Sequence, residues 1–168
     1  SRNRDSFDAA LNCSRVQGDT LAIQAAQRSS ARYYQRPDAD HRNYDPARTA
    51  LAGWNAALGA SKDGGAQNWA IGMSAISPGF EVNDLGYQTR ADRLTANVWT
   101  GHRWTRPGRV FRFATVTASS GMAWNFGGDR TSTSASASAY GQFLNFWSLN
   151  AGGSRTFRTA NRSAVRAA

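Results

Sequence analysis

The sequence predicts an all-β chain folded as an antiparallel up-and-down meander of about eight strands. Three observations predict it. Apolar and small polar residues alternate with a period of two through most of the 168 residues, the spacing of a sheet with one apolar and one polar face. The residues that fill amphipathic helices are scarce: Lys62 is the only lysine and Glu81 the only glutamate, while Ala, Ser, Thr, Gly and aromatics are plentiful. Turn signatures recur between the alternating runs, at 17–19, 62–65, 105–108 and 127–129.

The first run, FDAALNCS, places Phe7, Ala9, Leu11 and Cys13 on one face. QGD (17–19) turns, and TLAIQAAQR (20–28) reads as the returning strand of a hairpin, with Leu21, Ile23 and Ala25 together. Residues 31–48 are a long loop, because two prolines and a dense mixture of charges forbid a regular ladder. ALAGWNAAL then carries Ala52, Trp54, Ala56 and Leu58 on one face, and after KDGG the run QNWAIGMSAIS answers with Trp69, Ile71, Met73 and Ala75. A second long loop, SPGFEVNDLGYQTRAD, occupies 77–92.

RLTANVWTGHRW (93–104) sets Leu94, Ala96, Val98 and Trp104 opposite Arg93, Thr95, Asn97 and Arg103. After TRPG, the run RVFRFATVTASSGMAWNF changes phase: Phe111 and Phe113 share one parity, and Val116, Met122 and Trp124 the other. That predicts a bulge or a different strand boundary. After GGD, RTSTSASASAY alternates small residues. QFLNFWSLNAGGSRTF, apolar on both parities, is the last strand, and 158–168 is a basic tail. Short and long connections alternate through the first five strands; the short connections at GGD and near Gly141 break that rule. No linker-like break divides the chain, so 1–168 is one domain.

Alternation leaves two coverings for the apolar face: a second sheet in a soluble domain, or lipid around a transmembrane barrel. Several runs reach about ten residues, the length a tilted membrane strand needs. The polar faces hold Asn, Ser, Thr, Gln and Arg rather than rows of Lys and Glu. Trp54, Trp69, Trp104 and Tyr87 stand in or near strand ends, where an interfacial girdle would place them. These features favour part or all of an outer-membrane-type β-barrel over a soluble β-domain. No run of about twenty apolar residues exists to make a transmembrane helix. The net charge of +9 is almost all arginine, whose planar fork suits phosphate, whether of lipopolysaccharide or of nucleic acid.

No catalytic signature stands out: no G-x-S-x-G, no Walker loop, no G-x-G-x-x-G. His41, beside Asp40, reads as a surface ion pair, and His102 lies far from it in the chain. Glu81 and Asp84 have the residue types of a glycosidase pair. The competing reading, in which they cap turns and pair with Arg90 or Arg93, is preferred. Asp38, Asp40 and Asp45 lack the glycine and closing glutamate of a calcium loop. The expectation is therefore no catalytic residue, no metal and no cofactor. Cys13, the only cysteine, makes no intrachain disulfide. Arg32, Tyr33, Tyr34 and Arg36 interleave charge with rings and are weak binding candidates, for sugar rings or nucleic-acid bases, against a loop-packing role. Glu81, Asp84, Arg90, Asp92 and Arg93 are expected to form an ion-pair and turn network that holds the 77–92 loop at a barrel rim.

Three blocks are specific: RYYQRPDADHRNYDPARTALAGWNA, SPGFEVNDLGYQTRADR and QFLNFWSLNAG. In order and spacing they resemble a family of bacterial outer-membrane barrel domains that follow a family-nine-like carbohydrate-binding module in large surface proteins. The resemblance implies a non-enzymatic, membrane-associated segment at the bacterial outer membrane. It implies outer-membrane lipid or lipopolysaccharide as partner, with a glycan as a further candidate through the carbohydrate link. The carbohydrate module is not part of this sequence, so a glycoside-hydrolase label does not transfer. The family's barrel is longer than this chain, which implies an internal piece that closes as a smaller barrel or stays an open curved sheet. The rival functions are a soluble basic domain that binds nucleic acid and a glycan hydrolase that uses Glu81 and Asp84.

Overall fold

A computed structural model of the chain describes residues 4–35, 41–82 and 88–158. It is an all-β structure with one short helix. The elements are β1 (Arg4–Gln17), α1 (Thr20–Arg28), β2 (Ala50–Asp63), β3 (Gln67–Ile76), β4 (Arg93–Trp104), β5 (Phe111–Trp124), β6 (Arg130–Phe143) and β7 (Ser148–Arg158). The seven strands form one sheet in the order of the sequence, each antiparallel to the next. The sheet is not closed: β1 and β7 each have a single partner strand.

Two expectations are corrected. TLAIQAAQR is not a returning strand but α1. Asp19 caps it, its carboxylate accepting from the Ala22 amide at 2.7 Å. The four-residue spacing of Ile23 and Gln27 puts both on the buried face, whereas Leu21 is exposed. The hairpin partner of β1 is therefore β2, with Cys13 opposite Trp54 and Phe7 opposite Ala60. The last strand begins at Ser148, because Gln142 and Phe143 still belong to β6 and Phe143 N–H donates to the Trp147 carbonyl across the turn. The change of phase in β5 is a bulge: the register with β6 shifts between Phe111 and Phe113. Phe111 thereby joins Val116 on the apolar face, 4.9 Å from Phe143, while Phe113 meets Tyr140 on the other.

With the helix removed from the strand count, the connections sort by end. The β1–β2, β3–β4 and β5–β6 connections share one end; the short β2–β3, β4–β5 and β6–β7 turns share the other. The pairing register also fixes the faces. Leu11, Leu58, Met73, Ile71, Val98, Val116, Ala137 and Leu149 lie on one face of the sheet. Asn12, Asn55, Ser74, Asn97, Ser119, Ser136 and Asn150 lie on the other. Hydroxyl ladders cross the polar face: Ser74 to Thr95 at 2.6 Å, Thr117 to Ser138 and Ser119 to Ser136 at 2.8 Å. The apolar face is uncovered, with Leu58 61 % and Leu149 59 % exposed.

The buried cluster sits at the long-connection end, on the polar side. Ile23 of α1, Tyr34 and Leu51 pack together, with Val16, Ala26 and Tyr44 against them. Gln27 is fully buried, and its amide exchanges two hydrogen bonds with the Asp45 backbone at 2.9 and 3.0 Å. This ties the helix to the return of its own connection.

Candidate functional site

Arg32, His41 and Arg42 of the first long connection meet Glu81 and Asp92 of the second at one end of the sheet. Gly53 makes this possible, since a β-carbon there would lie 2.1 Å from the Phe80 nitrogen. The 77–80 turn thus lies directly on β2, fixed by Ser77, whose hydroxyl accepts from the Trp54 amide at 2.7 Å and whose own N–H donates to the Trp54 carbonyl at 2.9 Å. The turn brings Glu81 over β1, where the Glu81 N–H donates to the Ser14 hydroxyl at 2.9 Å.

Arg32 comes to this point from the first connection. Its guanidinium reaches Glu81 Oε2 at 2.5 Å and the Phe80 carbonyl at 2.7 Å, and it also donates to the Ala26 carbonyl and the Ser29 hydroxyl at 3.3 Å. Only 3 % of the Arg32 side chain is exposed. A buried guanidinium is tolerated when its donors are met by a carboxylate and carbonyls; both terminal nitrogens of Arg32 are so met, while its buried Nε has no hydrogen-bond partner.

Asp92 is the second junction. Its carboxylate lies 3.0 Å from His41 Nε2 and 3.2 Å from Arg42 Nε, an ion pair rather than an aimed hydrogen bond at the second, and Oδ1 accepts from the Phe126 amide at 3.0 Å. Arg42 also donates to the Arg32 carbonyl. The His41 ring packs against Gly127, where a β-carbon would come within 2.5 Å of Nδ1. One carboxylate therefore holds residues from all three connections at this end. Asp92 has φ +56°, in the left-handed region that Asp enters more readily than most residues.

Of the sequence candidates, Arg32, Glu81 and Asp92 are brought into this network. Glu81 and Asp92 take their cationic partners from the first long connection, not from within 77–92. Arg90 is exposed, with its carbonyl facing the Gln88 amide, and Arg93 opens β4 opposite Ile76. Tyr34 is in the buried cluster, and burial raises its phenol pKa above the usual value despite nearby Arg32, Arg48 and Arg42. Tyr33, at φ +53°, is exposed. Arg36 and Asp84 lie outside the described residues, as do Asp38, Asp40 and Tyr87. Asp45 is engaged locally, accepting from the Ala47 amide at 2.9 Å. Among the described residues no cluster of His, Cys, Asp and Glu has the arrangement to hold a metal.

His41 and Arg42 are the residues that sequence reasoning missed as partners of Asp92. Their separation of about fifty residues leaves no local signal. The short-turn end was also missed. There Leu144, Phe146 and Trp147 are exposed on the β6–β7 turn, and Arg112 lies over the Phe146 ring at 4.6 Å. The signal was in the string LNFW, where aromatic residues occupy a turn instead of polar ones.

No helix among the described residues is long and apolar enough to cross a membrane, which says nothing about crossing with strands. A family model described as a domain of unknown function (DUF5916) matches residues 3–162. No curated protein and no solved structure matches the chain.

Proposed function

This chain belongs to the DUF5916 domain family, and on that premise we propose that it is a membrane-embedded β-barrel segment of a bacterial outer-membrane surface protein, with an anchoring or pore-type role. The observation that carries the reading is the uncovered apolar face. Leu, Ile, Met, Val and Ala side chains run across it from β1 to β7, interrupted by Thr100, Ser120 and Arg155, while the opposite face is ruled by Ser, Thr and Asn. An exposed apolar surface of that extent is a liability in water and an asset in lipid. The distribution of the connections supports it in part: the two long, charged connections, 18–49 and 77–92, share one end with the short 125–129 turn, and the other end has short turns alone. The ion-pair network at the long-connection end serves as the rim that orders those loops.

Single cysteines test the two faces. In a Cys13→Ser background reconstituted into vesicles, Val98→Cys is expected to resist a water-soluble maleimide and to report a hydrocarbon environment with a polarity-sensitive label. Ser119→Cys on the other face is expected to react. Equal reactivity at both positions, with the protein monodisperse in plain buffer, contradicts the reading and favours a soluble domain.

A further inference from the structure

At the short-turn end the apolar face carries a groove of about 580 Å3. The 105–110 segment bends over the sheet there, closed by the Gly108 N–H donating to the Phe111 carbonyl at 2.8 Å. Trp104, Phe111, Val116 and Leu149 form its walls, and small residues, Ala139 and Ala151, form its floor. Gly141 gives the Phe111 ring its place, since a β-carbon there would come within 2.7 Å of that ring. Arg106 and Arg109 line the same groove.

The charge around it is one-sided. From Arg93 to Arg158 the chain has no acidic residue except Asp129, which lies in the β5–β6 connection at the opposite end of the sheet. No carboxylate on the four strands that build the groove therefore stands beside Arg106 and Arg109. An apolar slot with arginines and, among the described residues, no carboxylate lining it is complementary to an anion carried on a hydrocarbon chain. Beside it, Phe146 and Trp147 are 67 % and 74 % exposed on the adjoining turn, which the Leu144 N–H joins to the 105–110 segment through the Val110 carbonyl at 3.2 Å. Aromatic rings in that position match the headgroup level of a bilayer.

We propose that this groove is a specific site for one anionic glycerophospholipid. An acyl chain fills the slot beside Trp104, Val116 and Leu149, and the phosphodiester is held by Arg106 and Arg109. The inference rests on the membrane reading above. Free inorganic phosphate satisfies only the arginines and leaves the slot empty, so the two sources of phosphate are separable.

Native mass spectrometry of the full chain, released from detergent after delipidation, tests the site. The expected result is one tightly retained phosphatidylglycerol, weaker retention of a diacylglycerol with the same acyl chains, and no displacement by inorganic phosphate. Arg106→Gln with Arg109→Gln is expected to weaken phosphatidylglycerol retention about twenty-five-fold, each basic side chain near an anionic lipid being worth about fivefold, while diacylglycerol retention is unchanged. Ala151→Phe, which fills the slot and leaves the charges in place, is expected to abolish both. Equal phosphatidylglycerol retention by wild type and both variants overturns the site, as does displacement by inorganic phosphate. Vesicle flotation separates the two levels. A wild-type chain that floats with vesicles yet shows equal retention sinks the lipid site alone, and one that stays off vesicles sinks the membrane reading as well. The far-UV spectrum identifies a variant that has not folded, and the arginine pair, on an exposed turn, keeps the test decisive if Ala151→Phe does not fold.

Discussion

Asp92 concentrates the structure's long-range order in one side chain. It is only 4 % exposed and still accepts from or pairs with His41, Arg42 and Phe126. Asp92→Ala leaves the buried Arg42 charge without its partner, and breaking a buried pair in this way costs about 3–5 kcal/mol. The expected outcome is a lower denaturation midpoint together with faster hydrogen exchange at the Phe126 amide. An unchanged Phe126 protection rate would show that the carboxylate does not organise this end. The sequence marked Asp92 and Glu81 as structural, because both sit in an irregular segment dense in charge and glycine. It did not mark their partners. An ion pair between residues some fifty positions apart is set by the path of two loops over a sheet, and neither loop has a periodicity from which its path can be read.

At the scale of elements, most strands were legible and one helix was not. Strands β2 to β4 show clean period-two alternation, β5 shows it on either side of its bulge, and their pairing follows from sequence adjacency. The segment 20–28 carries apolar residues at 21, 23 and 25 and also at 21, 22, 25 and 26, so period two and period 3.6 both fit. What decides is the N-cap Asp19, read with the run of alanines and glutamines that favour helix, and not the hydrophobic pattern. The close approach of the 77–80 turn to β2 gives a test at this scale. A β-carbon at Gly53 meets the Phe80 and Gly79 backbone rather than a movable side-chain tip. Gly53→Ala is therefore expected to lift the turn, costing about 1–3 kcal/mol as an overpacked substitution, and to expose 77–92 to limited proteolysis while the far-UV strand signal persists. Resistance equal to wild type would mean that the contact yields without moving the turn.

At the scale of the molecule, the sheet has two faces of opposite character, an uncovered apolar side and a hydroxyl-laddered polar one. The two faces were readable from alternation, whereas closure was not: the sequence left a smaller closed barrel and an open sheet as alternatives, and the sheet is open. Closure depends on strand tilt and on how many strands take part, and neither leaves a trace in a single strand's residues. The sequential strand order has a kinetic meaning. Every pairing from β2 to β7 joins neighbours across connections no longer than 77–92, whereas β1 must find β2 across 18–49. Loop-closure entropy makes that one pairing costlier than the 64–66 turn by about 2 kcal/mol for a roughly tenfold longer loop. The chain should thus zip from its middle, and its first strand should be the last to dock, together with the helix that follows it. Pulse-labelled hydrogen exchange during refolding is expected to protect β3–β6 amides before those of β1, and simultaneous protection would refute this order. Residues 7–14 then wait as an unpaired and largely apolar segment until the sheet that receives them exists.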